Sequence, residues 1–353
     1  GPVALGHLSE WVRDAKAAPA EVVILDGNPI GIPTAIVKPG AATGVAIKKG
    51  VFAAVDGRFG EVITDPDSDY SSTSSDSDPD SDPEVKLRWL DGSESWYIKV
   101  DKLASAVSSR TDLIENRHVR SLAEALSSSK VHTYGLANCG FTPATLATFV
   151  ESVRWADAAL KVIVLEENLI GGLDRWGEGD ENPELTILTD ASANSNITTL
   201  NLKTCGLGPS ACADALPRLL ESTHLTDLHL SDNCLTGATR DDYSKPWDKD
   251  IDKDLGGWSK MCGKLKASNL VHLSLQTTGL GSAGLHKLAT SLPPMLTSIN
   301  CLANKFGDDD LATLLTAIEG TSVRSLCGLT EGQTTADFSG QNLGPIDCKI
   351  MAA

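Results

Sequence analysis

Asp227 and His229 stand two residues apart, and Ser274 falls in the next segment of the same pattern. A serine, a histidine and a carboxylate that meet in space are the parts of an acyl-transfer site. Here the acid and the histidine share one predicted strand, so Asp227 flanks the ring and does not back it. A neighbouring strand about 4.8 Å away would bring Ser274 alongside. Neither a nucleophile elbow nor an oxyanion hole accompanies the three, and no catalytic residue is assigned. Two acidic runs raise calcium: Asp65, Asp67 and Asp69 alternate with Asp76 twelfth, and Asp248, Asp250, Asp252 and Asp254 alternate likewise. A helix–loop–helix calcium site needs glycine sixth and a bidentate acid twelfth. The sixth residues are Tyr70 and Lys253, and Ser259 is twelfth in the second run, so both read as solvated loops and no metal is expected. Thr73, Ser75, Ser77 and Ser81 each have an acid three residues on. That is the pattern of acid-directed kinase sites, where phosphate would deepen a negative patch. No phosphate loop, zinc spacing or dinucleotide fingerprint appears, so no cofactor is expected.

The elements that carry these residues repeat. Leu225, Leu228, Leu230, Asn233 and Leu235 spell LxxLxLxxNxL. The frame recurs at Leu160-Ile163-Leu165-Asn168-Ile170, Ile197-Leu200-Leu202-Cys205-Leu207, Leu270-Leu273-Leu275-Thr278-Leu280 and Leu296-Ile299-Cys301-Asn304-Phe306, and more loosely at Val131-Tyr134-Leu136-Cys139-Phe141. Each run predicts a short strand, because alternate residues face one side. The Asn or Cys then turns the chain, and helices are predicted over 144–155, 211–220, 283–292 and 309–318. Strand starts at 131, 160, 197, 225, 270, 296 and 323 give six spacings, four of them between 26 and 29. A strand and a full helix in a unit of that length resemble the ribonuclease-inhibitor-like class of leucine-rich repeats, over at least residues 117–343. The resemblance implies an α/β solenoid, a horseshoe with parallel strands lining the concave side and helices outside.

A further copy lies at Ala20, Val23, Leu25, Asn28 and Ile30, after a helix over 8–18. The helix that should follow it is RHVRSLAEALS, residues 117–127. Residues 1–30 thus open a first repeat that an insertion, 31–112, splits; the solenoid proper spans 113–343, and 344–353 form a cap or tail. Inside the insertion, strands are predicted over 51–56, 59–64, 84–90 and 96–100. VDGRFGEV and VKLRWLDGSESWYIKVDKL resemble an antiparallel SH3-like or Tudor-like barrel. In such modules aromatics can cage a methylated lysine, which draws attention to Trp89, Trp96 and Tyr97. Residues 65–84, with eight acids, seven serines and no basic residue, interrupt the barrel as a solvated loop.

The long gaps after Ile170 and Leu235, like the barrel after Ile30, leave just after a strand, so all three should project from one rim. Their candidate partner-binding residues are Arg175, Trp176, Arg240, Tyr243, Trp247 and Trp258, since aromatics in polar loops are typical interface anchors. Alternation predicts a concave strip that includes Val162, Val164, Glu166, Asn201, Lys203, His229, His272, Ser298, Asn300 and Leu302. Net charge −17 disfavours nucleic acid and anionic membrane and suits a basic partner. No run of about 18 apolar residues predicts direct membrane insertion. All eight cysteines lie at or after Cys139 without a CxxC pair, which suits a reducing intracellular compartment. The Gly-Pro start reads as a cleaved-tag remnant or the beginning of a piece of something longer. The expected function is a non-enzymatic scaffold for one or more proteins. The alternatives are a structural subunit of a large assembly, or a regulator of a small GTPase or another enzyme.

Overall fold

The computed structural model describes residues 2–14, 20–32, 35–55, 58–66, 83–90, 92–242 and 245–353. The chain begins with α1 (Pro2–Asp14) and β1 (Val22–Ile24). The inserted segment carries β2 (Ala35–Val37), β3 (Phe52–Val55), β4 (Arg58–Val62), β5 (Glu84–Val85), β6 (Leu87–Trp89), β7 (Ile98–Lys99), β8 (Ala104–Val107) and β9 (Leu113–Glu115). Then come α2 (Arg117–Ser127), β10 (Thr133–Gly135), α3 (Pro143–Ser152), β11 (Val162–Val164), α4 (Leu185–Ala193) and β12 (Thr199–Asn201). A π-helical turn, Ala211–Ala215, runs into α5 (Leu216–Leu219). The rest is β13 (Asp227–His229), α6 (Gly256–Leu265), β14 (His272–Ser274), α7 (Ser282–Ala289), β15 (Ser298–Asn300), α8 (Asp308–Ile318) and α9 (Pro345–Ala352).

The protein is α/β, with a seven-stranded sheet in the order β1-β10-β11-β12-β13-β14-β15, every pair parallel. Register never slips, so Val23, Tyr134, Ile163, Leu200, Leu228, Leu273 and Ile299 form one row, and all are buried. Their neighbours in sequence point to the open face, as period-two alternation requires. This is the stacked strand-and-helix pattern of a leucine-rich-repeat fold. β1 pairs with β10 across more than a hundred residues of sequence. His118, on the first turn of α2, donates from Nε2 to the Ile30 carbonyl at 2.8 Å, and so joins the two ends of the split repeat.

The turns obey a stricter rule than the sequence reading drew. The Asn168 Oδ1 accepts from the backbone N–H groups of Cys139 (3.0 Å) and Phe141 (2.9 Å) in the preceding repeat. Its Nδ2 donates to the Leu136 and Leu165 carbonyls, both at 2.8 Å. Asn233 does the same to Cys205 and Leu207, and Asn304 to Thr278 and Leu280. Asparagine repeats therefore alternate with Cys or Thr repeats. The residue before the ladder position is left-handed every time: Asn138, Glu167, Thr204, Asp232, Thr277 and Ala303. In the Cys and Thr repeats the residue after it, Gly140, Gly206 or Gly279, is left-handed as well, a conformation only glycine takes at little cost. The buried thiols here are structural: Cys139 and Cys205 donate to the carbonyls of Leu25 and Leu165, and burial pushes the Cys262 thiol up to about 12.

Several expectations are revised. The predicted third inserted strand is broken at Lys86 into β5 and β6, which belong to different sheets. β3, β4, β6 and β8 form one antiparallel sheet, β5 and β7 a second, β2 and β9 a third. Because β3 alternates, Phe52 and Ala54 join one apolar cluster with Ala35 and Leu113, while Val51 and Ala53 join another with Val85 and Leu87. The first sheet is thus covered on both faces. The strand expected to start at 323 is reduced to isolated bridges, Ser325 with Ser298 and Cys327 with Asn300; α9 packs Ile350 into the solenoid core, and the Asp347 carboxylate accepts from Ala303 N at 2.7 Å. With that end covered, Ser298 and Leu302 are buried, against their expected exposure.

Asn233→Ala orphans two buried N–H groups and two carbonyls, and is expected to destabilise the fold by roughly 2–5 kcal/mol. Cys205→Ala loses only a weak donor and should cost about 1 kcal/mol. Urea midpoints of the two variants decide; equal losses would defeat the bridging role given to asparagine. Burial holds His118 below its usual range, despite the carbonyl it bonds. It folds neutral, so its contribution is complete above the unfolded value of about 6.5 and is lost as pH falls through the folded one. The urea midpoint should drop below about pH 6.5 in the native chain and drop less in His118→Asn; parallel pH profiles would refute this.

Candidate functional site

The imagined triad does not assemble. Register sets Asp227 opposite His272 and His229 opposite Ser274. Asp227 Oδ1 meets His272 Nδ1, its Oδ2 accepts from Thr226 Oγ1, and the Ser274 hydroxyl bonds that of Ser231 at 2.6 Å. Carboxylate and serine thus both turn away from His229, whose ring desolvation holds below its usual range. The second acidic run is spent on structure. Asp250 pairs with Lys253, Asp252 accepts from Gly281 N and Gly284 N at 3.0 Å each, and Asp254 accepts from Gly256 N at 2.9 Å. In the first run Asp65 accepts from Lys49 N, while Asp67, Asp69 and Asp76 lie outside the described residues. So do Thr73, Ser75, Ser77, Ser81 and Tyr243.

The two long insertions, 171–184 and 237–254, fold against each other. Leu173, Cys234, Ala238 and Trp247 form a small core of their own, with Ile251 against it. Arg240 ties it together. Its guanidinium stacks on the Trp247 ring at 4.0 Å, pairs with Asp232 at 2.8 Å, and donates to the carbonyls of Arg175 (2.8 Å) and Lys245 (3.1 Å). Each insertion is also pinned to the helix of the following repeat. The Glu181 carboxylate accepts from Ser210 N and Ser210 Oγ, and Asp252 sits at the start of α7. Acids there complement the unpaired N–H groups and the helix dipole.

This corrects half of the expected rim anchors. Arg240 is 5% exposed, Trp247 3% and Trp258 0%. Trp247 Nε1 donates to the Thr277 carbonyl and Trp258 Nε1 to that of Gly284, so both indoles have turned inward to satisfy their single donor. Arg175 and Trp176 remain at the surface, Trp176 42% exposed, with Leu169, 40% exposed, on the same rim. Sequence reasoning missed Leu169; the signal was a large apolar residue directly after the ladder asparagine, where the Cys and Thr repeats carry glycine.

On the open face of the sheet, Val162, Val164, Glu166, Asn201, His229, His272 and Asn300 are half-buried and Lys203 is exposed. Glu166 bonds both Asn201 and Lys203. Val22 and Ile24 of β1, both exposed, extend the apolar end at Val162 and Val164. At the other end an amide chain runs from Asn300 to Gln276 to Gln341, each link 3.0 Å. In the inserted segment Arg58 lies over the Trp89 ring at 4.4 Å and Lys86 over Tyr97 at 5.1 Å, so the chain's own cations occupy those faces. Trp96 is 90% exposed.

No protein-family model and no curated protein matches the chain. Among solved structures, a leucine-rich-repeat protein of Leptospira interrogans aligns at 11% identity and TM-score 0.25, over 59% of this chain and 50% of that one. An internalin of Listeria monocytogenes aligns at 12% identity and TM-score 0.20, over 61% and 70%. At these scores neither carries an argument about function. No helix among the described residues is long and apolar enough to cross a membrane.

Arg240→Ala leaves Asp232 without its cation and the Trp247 face bare. It is expected to cost about 2–4 kcal/mol in urea unfolding, with faster amide exchange over 237–254. Trp176→Ala should stay within about 0.5 kcal/mol of the native chain. Equal small effects would mean that the insertions do not fold together.

Proposed function

We propose that the protein is a non-enzymatic scaffold for protein–protein interaction, built on leucine-rich repeats of the ribonuclease-inhibitor-like class. The observation that carries this reading is the rim. Two insertions from separate repeats share a core through Arg240 and, from that fixed base, leave Leu169, Arg175 and Trp176 at the surface. A partner meeting pre-ordered side chains loses little conformational freedom, the condition under which a few anchors give useful affinity. The apolar end of the open face, Val22, Ile24, Val162 and Val164, is a second contact area on the same reading. The inserted segment 31–112, on its paired antiparallel sheets, reads as an SH3-like docking module rather than a lysine reader, since Trp89 and Tyr97 already hold Arg58 and Lys86.

The test is native affinity purification with mass spectrometry, using the full chain and Leu169→Ser/Trp176→Ser. Partners retained by the native chain should be captured at least about tenfold less by the double variant, at an unchanged thermal midpoint. Undiminished capture would remove the rim from the interface, and no stoichiometric partner for either protein would count against the scaffold.

A further inference from the structure

A polar cleft of about 250 Å3 opens where the rim meets the open face of the sheet. Three chain segments wall it: Lys203, Ser231, Asp232, Gln276 and Thr277 from the repeats, Arg240, Lys245 and Pro246 from the second insertion, and residues 340–342 from the C-terminal segment. Its volume is that of about eight water molecules, room for a tetrahedral oxyanion and a short arm. Three cations line it against one carboxylate, in a chain whose net charge is −17. That carboxylate, Asp232, is already engaged by Arg240 at 2.8 Å and by Thr204 Oγ1 at 3.3 Å. Glu166 and Asp242, which pair with Lys203 and Lys245, stand outside the lining.

We propose that this cleft binds a phosphate-sized oxyanion. Arg240, held on four sides, is a fixed charge with nothing to reorganise. Lys203 and Lys245 are mobile charges: both lysine side chains are exposed, their ion pairs are worth little there, and either ammonium turns toward a ligand at small cost. The hydrogen bond from Gln276 Nε2 to Gln341 Oε1 at 3.0 Å, continued by Gln341 Nε2 to the Asp337 carbonyl at 2.9 Å, fixes the far wall before a ligand arrives. Charge-assisted hydrogen bonds from pre-placed donors are the usual way a protein holds phosphate. The site does not depend on the scaffold reading. Free phosphate probes it without any partner, and loss of partner capture at Trp176 leaves it untouched.

Isothermal titration calorimetry of the full chain tests it, with inorganic phosphate, the peptide Gly-Gly-phosphoserine-Gly-Gly and the same peptide unphosphorylated. Saturable binding of phosphate is expected, with the unphosphorylated peptide silent. A phosphopeptide at least about tenfold tighter than phosphate assigns the site to a phosphorylated partner, and equal affinities assign it to a free anion. Lys203→Ala/Lys245→Ala should weaken binding about tenfold or more at an unchanged thermal midpoint, and Gln341→Glu should also weaken it. Lys264→Ala, whose lysine pairs with Glu221 elsewhere, should not. Absence of saturable binding to either phosphate species, or undiminished binding in both cleft variants, overturns the proposal.

Discussion

One side-chain amide holds the stack together. An asparagine after every second strand offers an acceptor to two N–H groups of the repeat before it and a donor to that repeat's carbonyl. Strands three residues long cannot fix their own register, and a slip of one residue would turn every leucine to water. The asparagines lock register from outside the ladder by satisfying buried backbone groups that have left it. Cysteine and threonine suffice in the repeats between, because there the backbone, bent by two left-handed residues, presents the donors.

The same constraint decides where the chain can be interrupted. Backbone bonding between repeats runs past the ladder position to Gly171 N on the Cys205 carbonyl and Gly31 N on the Cys139 carbonyl. Beyond that point the bonding thins to Leu173 N on the Gly206 carbonyl, and the chain is bound again when the next helix starts. Long excursions therefore leave at one level of every repeat, and the two that lie two repeats apart meet. Their acids do more than keep an acidic protein dissolved. Glu181 and Asp252 cap helices one repeat further on, so each excursion is tied to the repeat it left and to the one after the next strand.

What could be read from the sequence was whatever a period records. Seven strand positions and α2, residue for residue, followed from leucine spacing, because a solenoid core is built by near neighbours and each repeat states it again. The alternation of Asn with Cys-Gly or Thr-Gly was written there too and went unread. The fate of single side chains was not written. Nothing local distinguishes Trp247, which turns in to a carbonyl and a guanidinium, from Trp176, which stays out; the difference lies in Arg240, one of whose partners, the Arg175 carbonyl, comes from the other insertion. Asp227 illustrates the same limit, since the histidine two residues along its strand is farther from its carboxylate than the one directly across. Likewise β2, β8 and β9 pair across long stretches of intervening chain with no repeat to announce them.

An acidic solenoid gains little from adding more acid, and the placement of its few cations is therefore informative. Lys264 pairs with Glu221, just past α5, and Lys349 with Asp308 between α9 and α8, where exposed pairs add little to stability. Arg240 is different in kind. A buried guanidinium costs several kcal/mol in desolvation, about what a well-formed set of charge-assisted bonds returns, so burying it is at best neutral for the fold. A leucine in its place would fill the volume but lose the guanidinium's polar bonds between the two insertions. The arginine is kept for geometry: its planar fork is the one side chain that can stack on Trp247 while reaching Asp232 and two carbonyls in different loops. The rim is thus stiff at its base and open at its tip, which is the arrangement a surface needs when recognition depends on shape held before contact.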